Sequence, residues 1–221
     1  MKTCVLIPLF NGEAVIGRLV REVVKYINRC FVVDDGSTDR TSQVASQAGA
    51  LILRHERNLG KGASLRTGFD RVLKEGYDAV ITMDGDGQHD PRDIPRFIEK
   101  AKGSSAGIIL GDRMGDKENM PLIRQLTNKV MSSIISRICG QRIADSQCGY
   151  RLIKNELLKK LNLFTSRFEI ESEVLIKASR LNFKVESIPI TTIYLNEKSR
   201  IKLISDTIRF FKLLFWNRRR G

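Results

Sequence analysis

Short apolar, β-branched runs alternate with amphipathic stretches along the first half of this chain, and no other feature constrains its fold as strongly. Strand-like runs cover Thr3–Pro8, Cys30–Asp34, Ala50–Leu53, Ala79–Met83 and Ala106–Leu110. Helix-like segments between them cover Ala14–Ile27, Thr41–Gln47, Lys61–Leu73 and Ile94–Lys102. Near-continuous apolar strands with helical crossovers predict an α/β fold with a mainly parallel sheet covered on both faces. After residue 111 the alternation loosens. A helix over about Leu122–Cys139, a strand-like piece over Gln147–Ile153, a helix over about Glu171–Leu181 and a strand over Val185–Ile188 are expected there. At 221 residues and 42% hydrophobic, the chain fills one such domain and not comfortably two.

Ligands of parallel sheets bind at the carboxyl ends of the strands, and the polar signals fall at those ends. The first strand runs into Phe10-Asn11-Gly12-Glu13, the second into Asp34-Asp35-Gly36-Ser37 and the fourth into Asp84-Gly85-Asp86. Two carboxylates one residue apart can flank a divalent cation, with Gly85 letting backbone approach a ligand closely. Magnesium and manganese favour few carboxylates plus phosphate oxygens, which suits a site that holds a diphosphate. The alternative is an acidic turn, because Asp and Gly are common turn residues. Asp35 reads as a ligand contact and Asp39 as a helix cap. Asn58-Leu59-Gly60-Lys61-Gly62 lacks both the dinucleotide spacing and the P-loop ending. A phosphate cradle and a structural turn with one functional lysine are equally open readings there.

The basic excess, 38 Lys and Arg against 25 acidic residues, calls for an anionic partner. It is uneven. From Lys198 to Gly221 there are eight basic residues and one acidic, Asp206. A nucleic-acid-binding module would interleave basic and aromatic residues along an exposed face, and acidic strand ends repel phosphate unless a metal intervenes, so no nucleic-acid partner is expected. A dehydrogenase fits less well still, since the first strand ends without a glycine fingerprint. The four scattered cysteines, Cys4, Cys30, Cys139 and Cys148, form no Cys-X-X-Cys pair. They suggest a reducing compartment, with Cys4 and Cys30 as small buried hydrophobes. No signal peptide and no transmembrane run is expected, which makes the chain soluble or peripheral.

Taken in order, Ile7-Pro8-Leu9-Phe10-Asn11-Gly12-Glu13, Val32-Val33-Asp34-Asp35-Gly36-Ser37-Thr38-Asp39, Asn58–Gly62 and Met83-Asp84-Gly85-Asp86-Gly87-Gln88-His89 resemble family 2 glycosyltransferases of the GT-A fold. Within that family the similarity is greatest to dolichol- and polyprenyl-phosphate mannosyl- and glucosyltransferases, and it continues through Gly111-Asp112-Arg113, Arg124 and Asp145–Tyr150. The resemblance implies a nucleotide-sugar site of Pro8, Phe10, Glu13, Val33, Asp35, Lys61, Asp84, Gly85, Asp86 and Arg113. It implies a metal motif of Asp84, Asp86 and Gln88 holding Mg2+ or Mn2+. Arg113 and Arg124 would face the diphosphate or the acceptor phosphate, and Asp145 would sit beside the reacting anomeric carbon. Asp145, Asp86, Arg113 and Arg124 are thus the implied catalytic residues. Gly12 intervenes where relatives have Asn-Glu directly, which bears on whether Glu13 reaches the nucleotide. The stretch Tyr194–Arg200 is one residue shorter than in archaeal-type mannosyltransferases, so Lys198 or Arg200 would stand in for a late phosphate-binding arginine.

The implied activity is inverting transfer of mannose or glucose from a GDP- or UDP-sugar to a polyprenyl or dolichyl phosphate, at the cytoplasmic face of a membrane. The competing reading is a glycan or glycolipid hydroxyl acceptor. His89 reads as a hydrogen-bonded neighbour of the metal, and His55 as structural with no identifiable partner. Glu169, Glu171 and Glu173 read first as helix-start carboxylates and second as sugar or acceptor contacts. Residues 1–198 would form the catalytic domain. In 199–221, Ile201, Ile204, Ile208, Phe211 and Phe215 share one helical face, and Lys202, Ser205, Arg209 and Lys212 share another. With Arg218-Arg219-Arg220 beyond them, they predict a basic amphipathic C-terminal helix on an anionic membrane surface.

Overall fold

The computed structural model describes residues 1–113 and 122–193, with the side chains of 122–124 left out. Its centre is a seven-stranded sheet: β1 (Thr3–Leu9), β2 (Cys30–Asp34), β3 (Leu51–Arg54), β4 (Ala79–Thr82), β5 (Ile108–Asp112), β6 (Arg151–Lys154) and β7 (Val185–Pro189). The strands lie in the order β3-β2-β1-β4-β6-β5-β7. Every pairing is parallel except those of β6, which runs antiparallel to both β4 and β5. The helices are α1 (Glu13–Val23), α2 (Thr41–Gln47), α3 (Lys61–Lys74), α4 (Ile94–Lys102), α5 (Leu122–Cys139), α6 (Asn155–Leu158) and α7 (Ile170–Arg180).

The apolar runs read from the sequence are the core strands. Leu6, Ile7, Val32, Val33, Ile81, Ile108, Ile109 and Leu110 are fully buried. Cys4 and Cys30 are buried among them, as a small-hydrophobe reading requires. Two expectations change. The first helix stops at Val23, four residues before Ile27. The strand-like piece at Gln147–Ile153 reduces to β6, and residues 145–150 become a loop that turns the chain back between β4 and β5. That antiparallel insertion places the loop beside the end of β4, where Thr82 Oγ1 donates to the Gly149 carbonyl at 2.8 Å.

Candidate active site

Strand order reverses direction at β1, which has β2 on one side and β4 on the other. Loops at the carboxyl ends of neighbouring strands therefore converge there. Behind β2, the Asp35 carboxylate is buried and accepts the backbone N–H of Leu59 (2.9 Å) and of Gly60 (2.7 Å). His55 Nδ1 lies 2.7 Å from Asp35 Oδ1, and His55 Nε2 lies 2.9 Å from Thr67 Oγ1. His55, read as structural with no partner identifiable from the sequence, thus has two, and they tie the loop after β3 to the loop after β2 and to α3.

The glycine-rich run is a structural turn. Gly60 has φ +97°, and a Cβ there would stand 2.4 Å from the Ser166 carbonyl oxygen. That same carbonyl accepts the N–H groups of Gly62 (2.9 Å) and Ala63 (3.2 Å). The first amides of α3 are therefore engaged by protein and form no cradle for a phosphate. Lys61, the first residue of α3, is the part of the run that reaches the end of β4. Its Nζ is 2.5 Å from Asp84 Oδ1 and 2.5 Å from Glu171 Oε1.

Asp84 follows β4 with its side chain 27% exposed, whereas Lys61 and Glu171 are nearly enclosed. Burial alone would raise the Asp84 carboxyl, but the Lys61 ammonium, with His89 and Arg113 behind it, holds it well below the usual carboxylate range. Burial likewise opposes the Lys61 charge, and Asp84 and Glu171 outweigh it, so the ammonium is stabilised. The Asp84 amide donates to His89 Nδ1 at 3.2 Å, which leaves the proton of a neutral imidazole on Nε2, 3.9 Å from Asp84 Oδ2. Burial lowers the His89 pKa against the attraction of Asp84 and Asp86, and the ring stacks on Tyr150 at 5.0 Å. Asp86 Oδ1 accepts the Gln88 N–H at 3.0 Å. Gly85 packs on Leu9, whose Cδ1 would lie 2.6 Å from a Cβ at that position.

On the other side of Asp84 lies the 145–150 loop. A Cβ on Gly149 would fall 2.6 Å from both Asp84 carboxylate oxygens, so only glycine lets this backbone approach so closely. Asp145 is fully buried and takes a bidentate pair from Arg113, Nε to Oδ2 at 2.7 Å and Nη2 to Oδ1 at 3.0 Å. Arg151, which sequence reasoning did not single out, holds the loop from below. Its buried guanidinium donates to the carbonyls of Cys148 (2.7 Å), Glu171 (2.6 Å) and Ser146 (2.9 Å). A lone arginine in a strand pattern carries no signal of this role: two acceptors lie in the loop just before it, but the third, the Glu171 carbonyl, is 20 residues away.

The structure therefore brings together Lys61, Asp84, Arg113 and Asp145, with Pro8 lining the same small cavity as Lys61, Asp84 and Glu171. Phe10 stands at the end of β1, between that strand and α1. Glu13 instead accepts the Arg40 N–H at 2.9 Å, bracing the start of α2. Asp39 accepts the Thr41 N–H at 2.9 Å there, but from one residue before the N-cap position, which is Arg40, so it is not the cap expected. Val33, expected at the nucleotide, is wholly buried opposite Pro8 and offers a ligand no surface. Glu173 is a buried structural acceptor for the N–H groups of Phe164 and Thr165. The Arg124 side chain, Lys198, Arg200 and residues 199–221, where a C-terminal helix is expected, lie outside the described residues.

Residues 4–162 match the family model described as Glycosyl transferase family 2. The chain belongs to that family. Among its glycosyltransferase relatives, the UDP-N-acetylglucosamine–dolichyl-phosphate N-acetylglucosaminyltransferase of Methanococcus voltae is 30% identical, over 86% of this chain and 84% of that one. The polyprenol monophosphomannose synthase of Mycolicibacterium smegmatis is 28% identical, over 86% of this chain and 77% of that one. The crystal structure of glucosyl-3-phosphoglycerate synthase from Mycobacterium tuberculosis with UDP superposes with a TM-score of 0.77. It is 19% identical, over 95% of this chain and 77% of that one, and so supports the GT-A fold alone.

Proposed function

We propose that this glycosyltransferase moves a hexose, mannose or glucose, from a GDP- or UDP-sugar onto a polyprenyl or dolichyl phosphate. The bidentate Arg113–Asp145 pair set against Asp84 is the observation that carries this reading. Transfer to a sugar hydroxyl requires a base to take the hydroxyl proton as oxygen attacks. Asp145 has both oxygens committed to a guanidinium, a poor arrangement for a base. A phosphate monoester, with its second pKa near 6, is largely a dianion at neutral pH and already nucleophilic. Its oxygen attacks the anomeric carbon as the bond to the departing nucleoside diphosphate breaks, inverting the centre. Arg113, oriented by Asp145, supplies a fixed cation for the phosphate groups, with Arg124 and Lys198 or Arg200 as further acceptor contacts. The relatives named for transfer to dolichyl phosphate and for polyprenol monophosphomannose synthesis point the same way.

The residues present fit a divalent metal. Asp84 stays ionised, Asp86 lies two residues on, and hard oxygen donors in that number leave coordination positions for diphosphate oxygens. Asp84, Asp86 and Gln88 would hold Mg2+ or Mn2+, which would neutralise charge on the leaving diphosphate. Lys61 provides positive charge at the same carboxylate. Among the described residues no helix is long and apolar enough to cross a membrane. A lipid-linked acceptor implies work at the membrane surface, on its cytoplasmic face where nucleotide sugars are held.

The test is transfer to a polyprenyl phosphate with and without EDTA, in the parent chain and in Asp86→Ala. Chelation and the substitution should each reduce turnover at least about a hundredfold. Near-normal transfer in either arm would remove the metal assignment, and transfer to a sugar hydroxyl alone would remove the lipid-phosphate acceptor.

A further inference from the structure

Helix α5 packs Met131, Ile134, Ile135 and Cys139 on the core, yet it also turns polar side chains inward: Asn128 and Ser132 are buried and Ser136 is half-buried. Ser132 Oγ accepts the Ser146 N–H at 2.9 Å, and Ser136 Oγ accepts the Ile143 N–H at 2.9 Å. Ser132 and Ser136 thus grip 143–146, the segment that carries Asp145. The outer face mixes the large apolar Leu126, Val130 and Ile138 with Lys129, Ser133 and Arg137. Leu126 is 64% exposed and Val130 49%, more than any other large hydrophobic among the described residues, and Ile138 at 44% flanks them. At 100° per residue, Leu126, Val130, Ser133 and Arg137 form one stripe, opposite Ile135 and Asn128. Lys129 and Arg137 are exposed on or beside that stripe. From residue 122 to 144 the sequence has four basic residues, Arg124, Lys129, Arg137 and Arg142, and no acidic one.

Exposed large apolar side chains interleaved with Lys129 and Arg137 match the interface of an anionic bilayer, which takes up the apolar groups and attracts the cations. We propose that the outer face of α5 is seated on an anionic lipid surface, with Leu126 and Val130 entering the headgroup region. This rests on the lipid-phosphate reading and locates it on the molecule. One helix, about 10–12 Å across, then separates the bilayer from the loop that holds Asp145. A lipid phosphate carried in the membrane reaches Arg113 without leaving it.

The experiment is flotation of the full chain with phosphatidylglycerol–phosphatidylcholine vesicles and with phosphatidylcholine alone, for the parent, the Leu126→Glu/Val130→Glu double variant and a control, Leu51→Glu. Leu51 is exposed on β3, the edge strand at the opposite end of the sheet from β7. Both variants replace outward-facing side chains, and melting temperature and nucleotide binding verify the fold. The parent and the control should float with the anionic vesicles, and the double variant should bind them about tenfold more weakly or worse. Flotation of the double variant like the parent, no flotation of the parent, or equal loss in the control overturns the proposal. So does a parent dimer that the double variant dissociates, since the face then belongs to a second copy. A parallel assay with a short, water-soluble polyprenyl phosphate keeps the two readings apart. Failure of transfer there sinks the acceptor assignment, while α5-dependent flotation still supports the membrane face.

Discussion

The loops after β2 and after β4 each place a carboxylate at the same edge of the sheet, and the two are held by opposite means. Asp35 accepts two backbone amides and a histidine, groups that cannot leave without dismantling the loop at residues 55–60. Asp84 is held by a lysine side chain, with an imidazole and a guanidinium further off. A lysine ammonium can be shared with or replaced by another cation, and the carboxylate stays ionised throughout. Identical chemistry at two strand ends thus yields one residue that builds the site and one that is exchangeable within it.

The largest effect expected from this contrast comes from one isosteric change made at both positions. Asp84→Asn should abolish detectable transfer, at least about a hundredfold, while costing less than about 2 kcal/mol of stability, because Lys61 keeps Glu171 as a partner. Asp35→Asn should do the reverse. Whichever way its amide turns, an NH2 faces at least one donor of Leu59, Gly60 or His55, costing about 2–4 kcal/mol for the lost and opposed bonds. Residual activity per folded molecule should exceed that of Asp84→Asn. Urea unfolding and initial rates on both variants decide it. If Asp35→Asn is fully stable and inactive, the distinction between the two loops is wrong.

Much of this was legible in the sequence, and the remainder was hidden for a definable reason. Apolar runs and caps are local, so β2, α2 and α4 fall where the pattern puts them, residue for residue. Asp84 and Asp86 were visible because Asp-Gly-Asp after a hydrophobic strand is itself a local signal. His55 beside Asp35, Glu171 beside Lys61 and the Glu171 carbonyl on Arg151 depend on which segments become neighbours. Lys61 and Glu171 are 110 residues apart. The antiparallel β6 decides that adjacency, and strand direction leaves no mark on hydrophobic periodicity. The Gly60 turn was ambiguous for the same reason, since its partner is the distant Ser166 carbonyl.

A smaller effect sharpens the picture of Asp84 as the exchangeable site. Glu171 draws the Lys61 ammonium away from Asp84, so removing its charge concentrates that ammonium on the one remaining carboxylate. Under the metal assignment, Glu171→Gln should raise the manganese concentration for half-maximal transfer by about three- to tenfold, the equivalent of roughly one ordinary hydrogen bond. Rate at saturating metal should change less. An unaltered or lowered metal requirement means that Lys61 does not compete with the cation and that Asp84 is as fixed as Asp35.

The smallest effect is a pH dependence confined to acid. Asp84 is the group concerned; burial tends to raise its pKa, and Lys61, then His89, more than reverse that, so the folded value lies below the ordinary 3.8. A carboxyl depressed in the folded state stabilises the protein above its unfolded pKa, and that contribution is lost as pH falls through the folded value. On the other flank, Lys61 is raised above its usual 10.5, so its ammonium persists throughout the neutral range and is given up only in strong alkali. The stability difference between the parent and Asp84→Asn should therefore be flat from about pH 5 to 9 and shrink only below about pH 4. Urea midpoints at a series of pH values measure it. A difference that already declines between pH 7 and 5 would mean that Asp84 titrates in the ordinary range or above it. The Lys61 contact would then be too weak to keep the carboxylate ready for a metal, and the contrast with Asp35 would rest on geometry alone.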